Sequence, residues 1–179
     1  FHTQYFNGWV NAADWRNLTW EGYETEALNR YAFEFMENSD PRPFLLFLSP
    51  HQPHGTGGVH APESYYRRLP ETLELPANVP AALREPSLKM LRHYLAMTLA
   101  LDDMAGELLE YLDRSGRAAN TLFIFTSDHG SQVGAQGIAP WMKMRPYEES
   151  LRVPLIARWP GRIEAGARRD LLLAPVDFF

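Results

Sequence analysis

Asp128 and His129 stand side by side immediately after Leu122–Phe125, a continuous apolar run rich in β-forming residues. Such a run reads as a strand buried on both faces of a parallel sheet. Ligands of open α/β sheets bind beyond the carboxyl ends of the strands, so an acid placed there is a better candidate for chemistry than one on a helix face. Asp and Gly also favour turns, and Ser127–Gly130 taken alone reads equally as a tight turn. A second apolar run, Pro43–Ser49, opens directly into Pro50-His-Gln-Pro-His54. Pro53 fixes its own φ and restricts its neighbour, which presents His54 on a stiff backbone. His51 and His54 lie three residues apart, but no third ligand follows at zinc spacing. Lys143 is one of only two lysines, with Lys89, in a chain of fifteen arginines. A lysine kept among arginines offers a compact ammonium donor. Together His54, Asp128, His129 and Lys143 suit an oxyanion site. The carboxylate can hold a hard cation, while imidazole and ammonium donate to sulfate or phosphate oxygens or protonate a leaving alkoxide. A nucleophile and a full acidic cage for a metal are not visible. Spacing alone therefore leads to a hydrolase-like α/β chain with an anion site.

The elements that must position these groups follow a strand–helix–strand order. Ala27, Leu28, Tyr31, Ala32, Phe35 and Met36 recur at helical spacing, with Thr25 as the expected N-cap and Asn38–Pro41 as the stop. Residues 59–86 form a long proline-rich connection with one helical turn near Pro62–Leu69. Ser87 is the expected cap of a long amphipathic helix whose buried stripe is Leu91, Tyr94, Leu95, Leu101, Ala105, Leu108 and Leu112, with Gly116 as its stop. Asp102 and Asp103 lie in mid-helix, away from the strand ends. Gln132–Ile138 reads as a flexible glycine-punctuated loop, Val153–Arg158 as a third strand and Leu171–Ala174 as a fourth. Residues 1–21, with Trp9, Trp15 and Trp20, read as irregular. The pattern predicts an α/β fold, a mostly parallel sheet flanked by helices.

Composition narrows the function classes. The 179 residues suffice for one domain with a sizeable core, and 45% hydrophobic with 22% charged residues is ordinary for a globular protein. A formal net charge of -5 argues against nucleic-acid partners and against a polybasic membrane patch, and no apolar run approaches a membrane span. Cysteine is absent, which excludes disulfides and a thiol nucleophile within this stretch. The chain starts at Phe1 with no visible signal peptide and stops at Phe179 inside an apolar segment, which reads as a piece of a longer protein.

Four segments in order resemble the sulfatase family of the alkaline-phosphatase-like superfamily. They are Pro43–His54, a strand ending in Pro-His; Ala100–Asp103 with its leucine-rich helix; Asn120–Gly130, the metal-strand end; and Lys143–Ile156, the lysine loop leading into the next strand. The resemblance covers nearly the whole chain. It implies the central part of a sulfatase catalytic domain over residues 1–179, with the partial alkaline-phosphatase-like fold. It also implies release of sulfate from a small-molecule or saccharide sulfate ester. Asp128 would be a ligand of Ca²⁺, and His129 would touch the metal or the sulfate. His54 would bind the sulfate near the leaving oxygen, and Lys143 would bridge to the sulfate oxygens. Glu148, Glu149 and Arg152 would hold the loop in place.

The family's nucleophile, a formylglycine made from Cys or Ser in Cys/Ser-X-Pro-X-Arg, has no counterpart here, nor do the paired aspartates that complete the calcium site. The resemblance places both upstream, expects a formylglycine-generating or sulfatase-maturing enzyme as a partner, and leaves this stretch inactive by itself. A phosphonate or phosphate ester hydrolase of the same superfamily and a non-catalytic anion-binding remnant are the competing readings. The loops Gly55–Ala61 and Ser131–Trp141 carry no readable substrate code. The compartment stays open, periplasmic or secreted being a family tendency.

Overall fold

A computed structural model describes residues 5–11, 16–39, 42–55, 60–143, 145–174 and 177. Trp15, the Asp40–Pro41 helix stop, Thr56–Val59 of the first substrate loop, Met144 and the terminal Phe178–Phe179 lie outside them. Two helices form one layer. α1 spans Glu24–Glu37 and α3 spans Arg84–Arg114, with the single turn α2, Glu63–Tyr66, inside the expected Pro62–Leu69 segment. Ala27, Ala32 and Met36 of α1 are buried, as the spacing predicts. Thr25 is not the cap: Tyr23 precedes the first turn in extended conformation, and Thr25 is buried within it. α3 likewise begins three residues before Ser87, because Pro86 is tolerated in a first turn whose N–H groups have no intrahelical acceptor. Its stop is the expected one. Gly116 adopts φ 71°, while Gly116 N–H and Arg117 N–H return to the carbonyls of Asp113 and Leu112 at 3.1 and 3.0 Å. That is a Schellman closure, which glycine adopts without steric cost.

The buried stripe of α3 is rotated from the expected one over its first half. Ala96, Met97, Ala100 and Met104 are buried, while Leu91, Tyr94 and Leu95 are only half covered. Small residues admit close approach of α1 and α2, which bulky leucines at those positions would prevent. Two apolar clusters result. Tyr5, Tyr23, Ala61 and Tyr65 close on Ala96, Met97 and Ala100. Ala32 and Met36 close on Leu101, Met104, Leu108 and Leu112, with Leu46, Leu48, Phe123 and Phe125 packed against them.

The α/β class holds, but the expected strand pairing needs correction. β3, Phe123–Thr126, pairs with β4, Leu155–Arg158, in antiparallel register, Phe123 opposite Arg158 and Thr126 opposite Leu155. Parallel neighbours need a crossover, usually a full helix. The β3–β4 connection holds only the four-residue α4, Glu148–Leu151, and returns the chain in the opposite direction. Pro43–Ser49 and Leu171–Ala174 form no strand ladder among the described residues. Pro43–Ser49 keeps a strand's period of two all the same: Leu46 and Leu48 face the helices, while Leu45 and Phe47 are 88% and 83% exposed. The described residues of the segment expected to be irregular include two strands, β1, Trp9–Asn11, and β2, Asn17–Thr19, in an antiparallel ribbon. Among the described residues no helix is long and apolar enough to cross a membrane.

Asn29 joins the two helices. Its side chain is buried and donates to the Met104 carbonyl at 3.1 Å and to Glu107 Oε2 at 2.7 Å, across more than seventy residues. Removing a buried donor from such partners costs about 1–3 kcal/mol. Asn29→Ala is accordingly expected to lower the urea unfolding midpoint with an unchanged m-value.

Candidate oxyanion site

Asp128 and His129 leave the Thr126 end of β3, and their local conformation is set by hydrogen bonds within the turn. Asp128 Oδ1 accepts from the His129 N–H at 2.8 Å and from Ser127 Oγ at 3.3 Å. His129 Nδ1 donates to the Gly130 carbonyl at 2.8 Å. In the neutral ring this leaves the Nε2 lone pair 3.4 Å from Asp128 Oδ2. The pair brings a hard carboxylate oxygen and one imidazole nitrogen close together. Calcium takes six to eight oxygen ligands, and among the described residues no group of three or more His, Asp or Glu side chains gathers here.

His54 and Lys143 meet across eighty-nine residues. Lys143 Nζ lies 2.5 Å from His54 Nδ1. Ammonium only donates, so Nδ1 accepts and Nε2 carries the imidazole proton. Burial first, then the Lys143 charge, holds the His54 imidazole below its ordinary range, while the Asp128 carboxylate opposes the shift. Burial also lowers Lys143, again opposed by Asp128. Asp128 thus acts on both cationic groups, and His129 acts on His54. The four residues form one electrostatic unit.

Each arm is anchored by the backbone. Lys143 follows Met142, whose carbonyl accepts from Gln132 N–H at 3.3 Å, and buried Gln132 Nε2 donates to Ser150 Oγ at 2.6 Å. Gly130 N–H donates to the Ser150 carbonyl at 2.8 Å, and a Cβ on Gly130 would meet the Glu149 carbonyl oxygen at 2.0 Å. Only glycine lets α4 approach so closely. Glu149 Oε1 accepts from Asn78 Nδ2 at 2.7 Å and Gln136 Nε2 at 3.4 Å, while Glu148 and Arg152 make only an exposed i,i+4 pair at 3.9 Å. The segment expected to be flexible is packed: Gln132, Val133 and Ala135 are buried, and Val133 and Gln136 hold φ of 46° and 58°. Its glycines serve close packing rather than mobility. Gly134, at φ 88°, would set a Cβ 1.9 Å from the Ser87 hydroxyl.

On the other arm the His54 N–H closes a turn onto the His51 carbonyl at 2.8 Å. His51 turns away from His54 as a ligand partner. Its Nδ1 lies 2.5 Å from Glu24 Oε1, and its backbone N–H donates to Glu24 Oε2 at 3.1 Å. The Tyr5 hydroxyl donates to the His54 carbonyl. Glu24 and Tyr5 are absent from the sequence reading. The single available signal was an acid opening α1 directly after an aromatic residue. Asp103 is far from this site, paired with Arg68 at 2.5 and 3.0 Å.

Known proteins resemble the chain over most of its length. The sulfatase family model matches residues 2–179. An ulvan-active sulfatase of Formosa agariphila is 36% identical over 148 residues, covering 79% of this chain and 28% of that protein. An N-acetylglucosamine-6-O-sulfatase of Bacteroides thetaiotaomicron is 43% identical over 89 residues, 49% of this chain and 15% of its own length. A solved Bacteroides thetaiotaomicron structure from a study of glycosaminoglycan metabolism superposes with a TM-score of 0.77 at 26% identity, over 91% of this chain and 35% of that one. The chain thus spans less than a third of the two curated relatives named here.

The ammonium–imidazole contact makes one titration predictable. Removing the positive charge lowers the cost of protonating the ring, so Lys143→Met is expected to raise the His54 midpoint toward that of free imidazole. Histidine NMR titration measures it, and an unmoved midpoint would exclude the contact.

Proposed function

The chain belongs to the sulfatase family, and from that premise we propose that it forms the central part of a catalytic domain that hydrolyses sulfate esters. The observation that carries this reading is the convergence of Lys143 and His54 beside Asp128 and His129. The neutral His54 presents Nε2–H, and Lys143 retains two further ammonium protons. Three donors can therefore meet the oxygens of a bound sulfate and the leaving oxygen. As the ester bond breaks, charge grows on that oxygen, and donors already in place stabilise it without reorganisation. His54 and Lys143 are the catalytic candidates here, and His129 is a further contact to the sulfate.

Asp128 and His129 would hold one side of a Ca²⁺ ion whose remaining ligands come from elsewhere in the protein. When bound, the ion offsets the negative charge of the sulfate oxygens. Asp128 would then orient its carboxylate by the His129 N–H bond at 2.8 Å. On this reading a formylglycine nucleophile, made by a separate maturing enzyme, would be supplied from outside residues 1–179. Names of the relatives support a sulfated saccharide as substrate: one is ulvan-active, another acts on N-acetylglucosamine 6-O-sulfate.

Exposed apolar side chains support the reading as one part of a larger domain. Leu45, Phe47 and Ile124 face outward from segments whose opposite faces pack on the helices. In the full-length protein Phe47→Ala is expected to cost about 3–5 kcal/mol, as in a packed core; a cost typical of a surface site, within ~0.5 kcal/mol, would refute that placement.

The function is tested on the full-length protein with 6-O-sulfated N-acetylglucosamine and ulvan oligosaccharides, each beside its phosphate ester. Sulfate release is expected, falling roughly 10²–10⁴-fold in His54→Ala and Lys143→Ala. Asp128→Ala should abolish calcium-dependent turnover with the fold intact, and full activity in that variant would overturn the metal assignment. Preference for the phosphate or phosphonate ester would shift the reading within the superfamily. Sulfate binding without turnover would make the protein an anion binder.

A further inference from the structure

The His51–His54 turn is held by a closed ring of hydrogen bonds. Glu24 N–H donates to the Tyr5 carbonyl at 2.9 Å, and the Tyr5 hydroxyl donates to the His54 carbonyl. His54 N–H donates to the His51 carbonyl at 2.8 Å, and His51 donates from its backbone and its ring to the two oxygens of Glu24. The ring begins and ends on one residue. Glu24 is 3% exposed, so its carboxylate is withdrawn from water, and both of its oxygens go to His51. It sits in the first turn of α1, where the helix N-terminus favours a negative charge. A buried carboxylate is costly unless it is fully hydrogen-bonded. Here the bonds are made to the loop that carries His54 rather than to α1 itself.

From this ring we propose that Glu24 is a positioning residue for His54, transmitting the rigid placement of α1 to the imidazole that faces Lys143. The proposal rests on the oxyanion-site reading above. Helix α1 is fixed by its packing against α3, so Glu24 is a stationary anchor, and its bidentate grip sets both the height and the tilt of the His51 end of the turn. Tyr5 sets the other end. With the turn free to shift by even about 1 Å, a catalytic group loses its alignment, at a cost of up to ~10²-fold in rate.

The test is a double-mutant cycle in the full-length protein, read in kcat/KM for a sulfate ester and in Kd for inorganic sulfate by calorimetry. Glu24→Ala and His51→Ala are each expected to lower kcat/KM roughly 10- to 100-fold in the presence of His54. In a His54→Ala background the same substitutions should change neither quantity, because what they position is gone. Glu24→Gln keeps an acceptor for the His51 N–H and should recover most of the activity. His51→Ala alters a half-exposed side chain and keeps the test open if Glu24→Ala fails to fold. Equal losses with and without His54, or no rescue by glutamine, would reduce Glu24 to a general stabilising role and overturn the proposal. A wild-type protein that binds sulfate but turns over no ester would refute the hydrolase reading, while the coupling measured in sulfate Kd still decides the role of Glu24.

Discussion

Everything at the site depends on two apolar segments being laid against the same helix layer. Leu46 and Leu48 on one, and Phe123 and Phe125 on the other, pack against the α1–α3 cluster built around Ala32, Met36, Leu101 and Met104. Both segments end in polar residues, so seating their apolar faces on common ground delivers His54 and Asp128 to the same edge. The hydrophobic effect is not directional; the period of two supplies direction, since only one alternating face of each segment can be buried without turning its polar end away. Ala96 and Ala100 contribute by what they lack, letting Tyr5, Tyr23, Ala61 and Tyr65 of α2 close on α3.

The chemistry of the site follows from unequal burial among its charged groups. Lys143 and His54 are drawn partly out of water, which disfavours their charged forms, while Asp128 at the mouth favours them. One carboxylate thereby moderates the shifts of both groups. A neutral ring beside an ammonium is a donor pair of fixed polarity, suited to an anion whose negative charge grows as a bond breaks. The antiparallel return of β4 matters as well, because it brings α4 back under Gly130 and ties the lysine loop to the turn after β3.

The proximity of His54, Asp128, His129 and Lys143 was legible in the sequence because each follows an apolar run or a marked change in composition, and strand ends are where such groups gather; their roles are the proposal made above. The grip of Glu24 on His51 was not legible, since nothing local in either segment encodes a contact made across twenty-seven residues. The same limit applies to β3 and β4: apolar runs show that strands exist, while their relative direction is decided by what the connection contains. The ribbon Trp9–Thr19 escaped notice because three-residue strands are too short to display a period. Ser87 and Thr25 resembled caps by type alone. Both are buried, Ser87 against the left-handed turn at Gly134.

The separation of eighty-nine residues between His54 and Lys143 bears on how the molecule comes into being. During synthesis α1 and the histidine turn emerge before α3, and their bonds to Tyr5 and Glu24 close shorter loops, of forty-nine and twenty-seven residues. The lysine arrives only after the whole of α3 and β3 has been made. Closing so long a loop carries an entropic cost that is repaid only when the intervening helix has packed. The donor pair is therefore among the last features to assemble, and the nascent chain brings His54 and Lys143 together only once the scaffold beneath them is complete.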